Sequence, residues 1–575
     1  MRELSRRGLL AAAASGGVAA LAACTGSPSG ASAPEDAPEH TPEPPSARPA
    51  AVTDSAALGG DGPAVAAGLS ALLLQTSPVA VLTAAAAEQV RAAGALAAQG
   101  RWPVLLIEAD GGLPEPTRTE LTRLGVEHAI VIAPAEATAE QSPAPTSAPT
   151  VEIPDVEVHV VPASPDPAVP EGVPVGTPPD PVDVVVLAAG VAGGDPAGST
   201  STAGPTSTAG PTSTADATNT ADPTSTPGTD STERPAPTDD TPDPDHPAQA
   251  ALATAQALGG RTHTQVVDPR EDSTLMAGLR ETADTPLITL ADDPAAADRL
   301  LVMSTMAQRA PELPGGGVSV FPHRRMVALY GHPEAGVLGL LGEQGIEGSI
   351  TRVNGYVEKY SPLVTEQVIP SWEIIATVAT AGAGPDGNYS KVWEPAKFRP
   401  WVDSAKEAGI YVVLDLQPGR SDFLTQAKEY EELLVEPHVG LALDPEWRLG
   451  PNEKHLRRIG HVEAAEINAV SDWLAALVRE HTLPQKVLTL HQFQVQMIRD
   501  RDQVRTDHPE LAIVLHADGQ GPQGAKQETW RVLKSDLPEG MWLGWKNFYD
   551  EDSPMLTPEQ TIARVDPTPW FISYQ

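Results

Sequence analysis

The sequence predicts an α/β protein: a C-terminal (β/α)8, TIM-like barrel preceded by an Ala-rich parallel α/β domain that a disordered insertion interrupts. Three observations predict it. After position 320, eight near-continuous apolar runs recur with amphipathic stretches between them, over the roughly 250 residues such a barrel needs. Before position 320, shorter apolar runs alternate with Ala-rich helical stretches, as in a parallel α/β layer. The aromatic residues divide at the same place, since only Trp102 precedes Phe321.

The composition bounds the rest. A chain of 575 residues has room for two or three domains. Its 49 Gly and 59 Pro exceed what packed domains use, so part of the length is linker. A formal charge of −38 excludes a nucleic-acid backbone as the default partner. One Cys excludes a disulfide framework and any Cys-cluster metal site.

Residues 1–23 have a basic start (Arg2, Arg6, Arg7) and the apolar run Leu9–Ala22, the anatomy of a secretory signal. Ser5-Arg6-Arg7-Gly8-Leu9-Leu10 resembles the twin-arginine export motif, with Leu9 in place of the commoner Phe. Leu21-Ala22-Ala23-Cys24 resembles a bacterial lipobox. That resemblance implies cleavage before Cys24, lipidation (diacylglycerol, palmitate) of its thiol, and a lipid-anchored place on the extracytoplasmic face of the cell membrane. Residues 24–63, with their Pro, Ala, Ser and Glu, predict a disordered tether that carries the folded parts toward the wall.

The α/β domain is expected over 64–192 and 246–312, with a Thr/Pro/Asp low-complexity insertion at 193–245. Strands are predicted at Val79–Thr83, Pro103–Glu108, His128–Ala133, Val182–Ala188, His263–Val267 and Pro286–Leu290. Helices are predicted at Ala84–Gln99, Glu115–Leu124, Pro247–Leu258 and Ser273–Thr282. Val79–Ala133, through its Ala-rich helix, Pro103-Val104-Leu105-Leu106 and Ala129-Ile130-Val131-Ile132, resembles the type 2 cell-wall-binding repeat. Ala133-Pro134-Ala135 stands where that repeat usually has glycines. A generic α/β domain that positions the barrel is the alternative.

The barrel is expected over 320–575. Its strands are predicted at Met326–His332, Glu373–Thr380, Tyr411–Gln417, Val439–Trp447, Val487–Phe493, Leu511–Asp518, Trp542–Asp550 and Trp570–Gln575. Helices are predicted at Pro400–Ala408, Ser421–Leu434, Glu463–His481, Val495–His508 and Gln523–Asp536. Barrel active sites lie at the C-terminal ends of the strands. There this sequence places Asp415 with Gln417, Asp444 with Glu446, His491, His516 with Asp518, and Lys546 to Asp550. Strand alternation would put Asp444 and Glu446 on one face. Carboxyl groups crowded in a desolvated mouth cannot all ionise, which preserves a proton donor at neutral pH.

Asp444, Glu446 and Asp415 are therefore the candidate catalytic residues of a glycoside-hydrolase-like site. Gln417, Trp447, His491, His516, Asp518, Lys546, Tyr549 and Asp550 are candidate substrate contacts, with Trp393 and Trp545 as further flat faces. The Asp-x-Glu ending of the fourth strand resembles the glycoside hydrolase family 25 muramidases. That resemblance implies Glu446 as general acid and Asp444 as stabiliser or base. Leu414–Arg420, Leu443–Trp447, Lys546–Asp550 and Ser573–Gln575 resemble an uncharacterised family of exported lipoproteins from high-GC bacteria, and imply no reaction.

The expected partner is a cell-envelope glycan, cleaved or only bound. In a merely structural barrel the same acids would cap loops or pair with Arg420 and Arg448. A metal-assisted phosphodiester or ester hydrolase is the third reading, but no His-x-His or His-x-x-x-His spacing supports a metal, and no cofactor is expected.

Overall fold

The computed structural model describes residues 46–135, 150–190, 248–455 and 457–575. The expected export signal, Cys24, the start of the expected tether and the low-complexity stretch lie outside the described residues.

Beside a short antiparallel pair, Arg48–Pro49 with Leu74–Thr76, eight strands build the sheets of the α/β region among the described residues: β1 (Ala56–Gly59), β2 (Val79–Thr83), β3 (Val104–Leu106), β4 (His128–Ala133), β5 (Glu157–Pro162), β6 (Val185–Ala189), β7 (Arg261–Val266) and β8 (Leu287–Ala291). They form two four-stranded parallel sheets, ordered β1-β8-β6-β7 and β3-β2-β4-β5. One apolar core joins them. Leu69 and Leu73 of helix Gly62–Leu73 and Ala251 of helix Gln249–Ala257 lie with Leu82 and Val131 of one sheet and Val186 and Leu290 of the other. Small side chains let these helices approach closely, so the region packs with Trp102 as its one buried large ring among the described residues. Aspartates start its helices: Asp61, Asp272 and Asp293 each accept a backbone N–H of the first turn.

One expectation here is corrected. The tether does not run to residue 63, because β1 pairs in parallel with β8 along Ala56–Gly59. Four residues carry too little pattern to announce a strand, and the partner lies some 230 positions later. Gly59 marks the fit, since a Cβ there would meet the Asp293–Pro294 backbone at 2.2 Å.

The second region is a closed barrel of eight parallel strands: β9 (Arg324–Gly331), β10 (Gln367–Ala379), β11 (Tyr411–Leu416), β12 (Val439–Leu443), β13 (Lys486–Gln492), β14 (Leu511–Ala517), β15 (Trp542–Asn547) and β16 (Phe571–Tyr574). Each pairs with the next, and β16 closes on β9 through Met326↔Phe571 to Leu329↔Tyr574. Alternation then sorts the side chains. Leu329, Ile374, Leu414, Leu441, Leu490 and Ile572 point outward to the helices. Met326, Ile369, Tyr411, Val413, Val487, Val514 and Phe571 fill the lower half of the lumen. That plug makes the barrel a packed core, so chemistry is confined to its upper half.

Two further expectations fail. Val495–His508 is no helix. It forms short 3-10 turns at Val495–Met497 and Arg501–Gln503, and Ile498–Arg499 pairs with Val462–Glu463. Asp500, in the left-handed region at φ 50°, breaks the segment. The fourth barrel strand ends at Leu443, because Pro445 opens a 3-10 turn over Pro445–Trp447.

Candidate active site

Above the plug, the inward positions turn polar all round the lumen. Tyr330 comes from β9, Glu373 from β10, Asp415 from β11, His491 from β13, His516 from β14, Lys546 from β15 and Ser573 from β16, all buried. Asp444 and Glu446 enter from the turn after β12, and Asp518 from the end of β14. Gly544 makes room for this layer, since a Cβ there would sit 2.9 Å from His516 Cδ2.

His491 is the hub. Its Nδ1 lies 2.9 Å from Asp518 Oδ2 and its Nε2 lies 2.8 Å from Glu373 Oε1. Burial alone would lower the His491 pKa, but Glu373 and Asp518 outweigh it and hold the ring well above the usual imidazole range. Both nitrogens thus donate, and the ring is a cation. Burial likewise pushes Glu373 up, yet the cationic His491, with Lys546, holds its carboxyl below the usual range. Asp518 is pushed up by burial but held down, net, by Lys546 and His491; Lys546 Nζ lies 3.2 Å from its Oδ1. Lys546 also stands over the Tyr330 ring, 3.3 Å from the centroid. His516 is brought down to about 3 by burial and is neutral, with Nε2 3.1 Å from Ser573 Oγ.

The other three acids behave oppositely. Asp415 accepts from Tyr330 Oη at 2.8 Å and is pushed up to about 6, mainly by burial. Asp444 is driven well above the carboxylate range by burial and by Asp415; one of its oxygens accepts the Glu446 N–H at 3.2 Å. Glu446 makes no ion pair among the described residues. Burial and the Asp518 charge push it up to about 7.

A cavity of about 710 Å³ opens on this layer. Tyr330, Gln417, Asp444, Glu446, Trp447, Asp518 and Lys546 line it, with Phe493 and Phe548 as further apolar faces. Of the three expected acids, Asp444 and Glu446 therefore meet at this cavity, and Asp415 lies beneath it. Neither arginine neutralises them: Arg448 pairs with Glu466 at 3.0 Å, and Arg420 donates to Gly387 O and Glu453 O. Asp444 and Glu446 share the cavity through a proline turn and not through strand alternation.

Other expected residues sit apart. Asp415, His491 and His516 lie beneath the cavity and do not line it. Tyr549 and Asp550 are exposed outside it, with the Tyr549 hydroxyl bonded to that of Tyr356. Trp545 points away from the lumen onto Trp530, with centroids 5.6 Å apart. Trp393 has Lys391 3.3 Å and Lys397 4.7 Å from its ring centroid.

Sequence reasoning missed Glu373, Tyr330 and Ser573. The second strand begins at Gln367, six residues before the expected start, so Glu373 falls mid-strand. Pro370 had cut the apolar run; an acid inside Ile-Pro-Ser-Trp-Glu-Ile-Ile was the available signal. Donor atoms of Glu373, His491 and His516 lie within 4.8 Å of one another. As arranged, both His491 nitrogens already donate to carboxylates, so the set is a proton network.

The fold and mouth define a parallel (β/α)8 barrel with a buried charged layer beneath an open, acid-lined cavity, the place where such barrels meet polar ligands. No known protein family and no curated protein matches the chain. Among solved structures it is similar to a new form of xylanase-A-amylase inhibitor protein, at 12% identity, and to a xylanase-alpha-amylase inhibitor protein in complex with trehalose, at 14%. Each alignment has a TM-score of 0.27 and covers 44% of this chain and 92% of that chain.

Proposed function

We propose that this protein is a hydrolase of envelope glycan, anchored through Cys24 at the outer face of a bacterial cell membrane and facing the wall. One observation carries the catalytic part. Glu446 and Asp518 line the same open cavity with their carboxyls pushed in opposite directions, Glu446 up to about 7, so that it still carries a proton in about half of the molecules at pH 7, and Asp518 down, so that it stays charged. Glu446 donates its proton to the glycosidic oxygen as the C–O bond breaks. The Asp518 carboxylate, held charged, stabilises the positive charge developing on the sugar as water adds and the leaving alcohol departs with the Glu446 proton. Asp444, the partner implied by the muramidase resemblance, is too strongly biased to its neutral form for that role. Trp447 and Phe493 offer faces for sugar rings. The export signal, the lipobox and the wall-binding resemblance of Val79–Ala133 support the location and the polymer.

The test is release of reducing ends from purified cell walls by the full chain. Activity should fall as pH rises through about 7, where Glu446 loses its proton, and Glu446→Gln should lower it at least a hundredfold with the fold intact. Unchanged turnover in that variant overturns the assignment.

A second reading, a glycan-binding barrel without turnover, is favoured by one contact pattern. Both oxygens of Asp518 are already engaged, by Lys546 and by His491. Saturable wall binding with no product between pH 4 and 8 would select it. Loss of activity to a chelator, restored by Mn²⁺ or Zn²⁺, would select metal-assisted hydrolysis.

A further inference from the structure

Far from the barrel mouth, β4 and β5 run parallel with His128 opposite Glu157 and Ile130 opposite His159. Residues two apart on a strand share a face, and register partners share it too. The register therefore delivers two imidazoles and a carboxylate to one patch. His128 Nδ1 lies 3.4 Å from His159 Nε2 and 3.6 Å from Glu157 Oε2, and His159 Nε2 lies 3.6 Å from Glu157 Oε1. The rings stack at 27°, with centroids 5.6 Å apart. Both are largely sunk, at 16% and 12% side-chain exposure, whereas Glu157 is 64% exposed.

These separations are long for hydrogen bonds, which want about 2.7–3.2 Å. They are the right size for something else. Ligands 2.0–2.1 Å from a tetrahedral zinc ion stand about 3.4 Å from one another. Glu157 brings a different oxygen to each ring, and one donor atom from each of the three residues lies within 4.8 Å of the other two, so a small turn of the exposed carboxylate completes one face of such a tetrahedron.

We propose that His128, Glu157 and His159 form a divalent transition-metal site of the zinc class, with three protein ligands and a fourth position open to solvent. The spacing of the ligands in the chain hides the site, since 28 residues separate His128 from Glu157. Its position suggests the consequence. β5 is the edge strand of its sheet, bonded only to β4, so an ion would clip that edge to its neighbour. An imidazole and carboxylate set suits Zn²⁺, Ni²⁺ or Cu²⁺ over Mg²⁺ or Ca²⁺.

The experiment uses the full chain, stripped with chelator and titrated with Zn²⁺, and with Co²⁺ as a spectroscopic probe. The expected result is one tight equivalent, a visible Co²⁺ absorption of tetrahedral intensity, and a higher melting temperature with zinc. His128→Gln and His159→Gln should each weaken binding at least tenfold and remove the melting shift. Should either fail to fold, Glu157→Gln, an exposed position, should weaken binding and change the Co²⁺ spectrum. If the double variant H128Q/H159Q folds and keeps the same zinc affinity, the ion is held elsewhere and the site is refuted. Absence of binding above that of free buffer refutes it too.

Discussion

The two ends of the barrel handle buried charge in different ways. At the base, where strands begin, acids meet guanidinium groups: Glu366 pairs with Arg325 at 2.9 Å, and Glu510 pairs with Arg479. The buried Lys486 donates to Glu436 O at 2.9 Å and Val439 O at 2.7 Å, and burial brings it down to about 7. At the mouth no arginine pairs with the acids among the described residues. Glu373, Asp415, Asp444, Glu446 and Asp518 share one lysine and one cationic imidazole. Five carboxyls facing two cations must keep some protons. The base spends its charges on holding the chain, and the mouth stores protons for use.

The sharpest way to break this comparison is to remove the hub. His491→Leu leaves Glu373 and Asp518 buried without the cation that both of them contact. Stranding buried charge in this way costs about 3–5 kcal/mol. Urea unfolding at pH 7 should show a loss of that size. A loss under about 1 kcal/mol would mean that the mouth is not a coupled network, and the contrast with the base would go with it.

Next in size is a gain. Glu446 is an acid whose folded pKa, about 7, lies above its unfolded value. Between roughly pH 4.3 and 7 the folded state holds a proton that the unfolded state has released. Stability therefore falls as pH rises through that window. Glu446→Gln removes the penalty and should stabilise the fold at pH 7.5 by about 1–3 kcal/mol, with almost no change at pH 4. Denaturant melts at the two pH values check it. A variant less stable at pH 7.5 would show that Glu446 supports the fold and is not held there at its expense.

The strands were the legible part of this protein, and the barrel layer was legible only where it reached a strand end. Eight apolar runs are long enough to be seen without partners, and polar residues at their ends stand out because the runs stop there. Glu373 and Tyr330 lie inside strands, where an acid or phenol reads as noise until closure brings five other strands around it. Asp444 and Glu446 were found through an alternation that Pro445 prevents. They reach one cavity because a 3-10 turn folds both back over the rim. Ala56–Gly59 was invisible for the same reason as Glu373: its structure comes from a distant partner, not from its own pattern.

The smallest effect sharpens the contrast from the other side. Glu366 is the mirror case of Glu446. Burial raises its carboxyl, but the Arg325 guanidinium beside it wins and holds it below the usual range. For an acid with a lowered pKa, the stabilising contribution is present above the unfolded value, near 4.3, and disappears as pH falls through the folded one. Glu366→Gln should therefore cost about 0.5–1 kcal/mol at pH 7.5, since water reaches and screens the pair. Arg325 keeps its bonds to Thr568 O and Pro569 O in the variant, so the fold should survive for measurement. At pH 3 the variant and the parent should converge, as the Glu446→Gln pair also does in acid; near neutrality the two pairs diverge with opposite sign, Glu366→Gln losing stability and Glu446→Gln gaining it. If both variants lost stability in the same pH window, the two rims would be using their carboxylates alike, and proton storage would not be confined to the mouth.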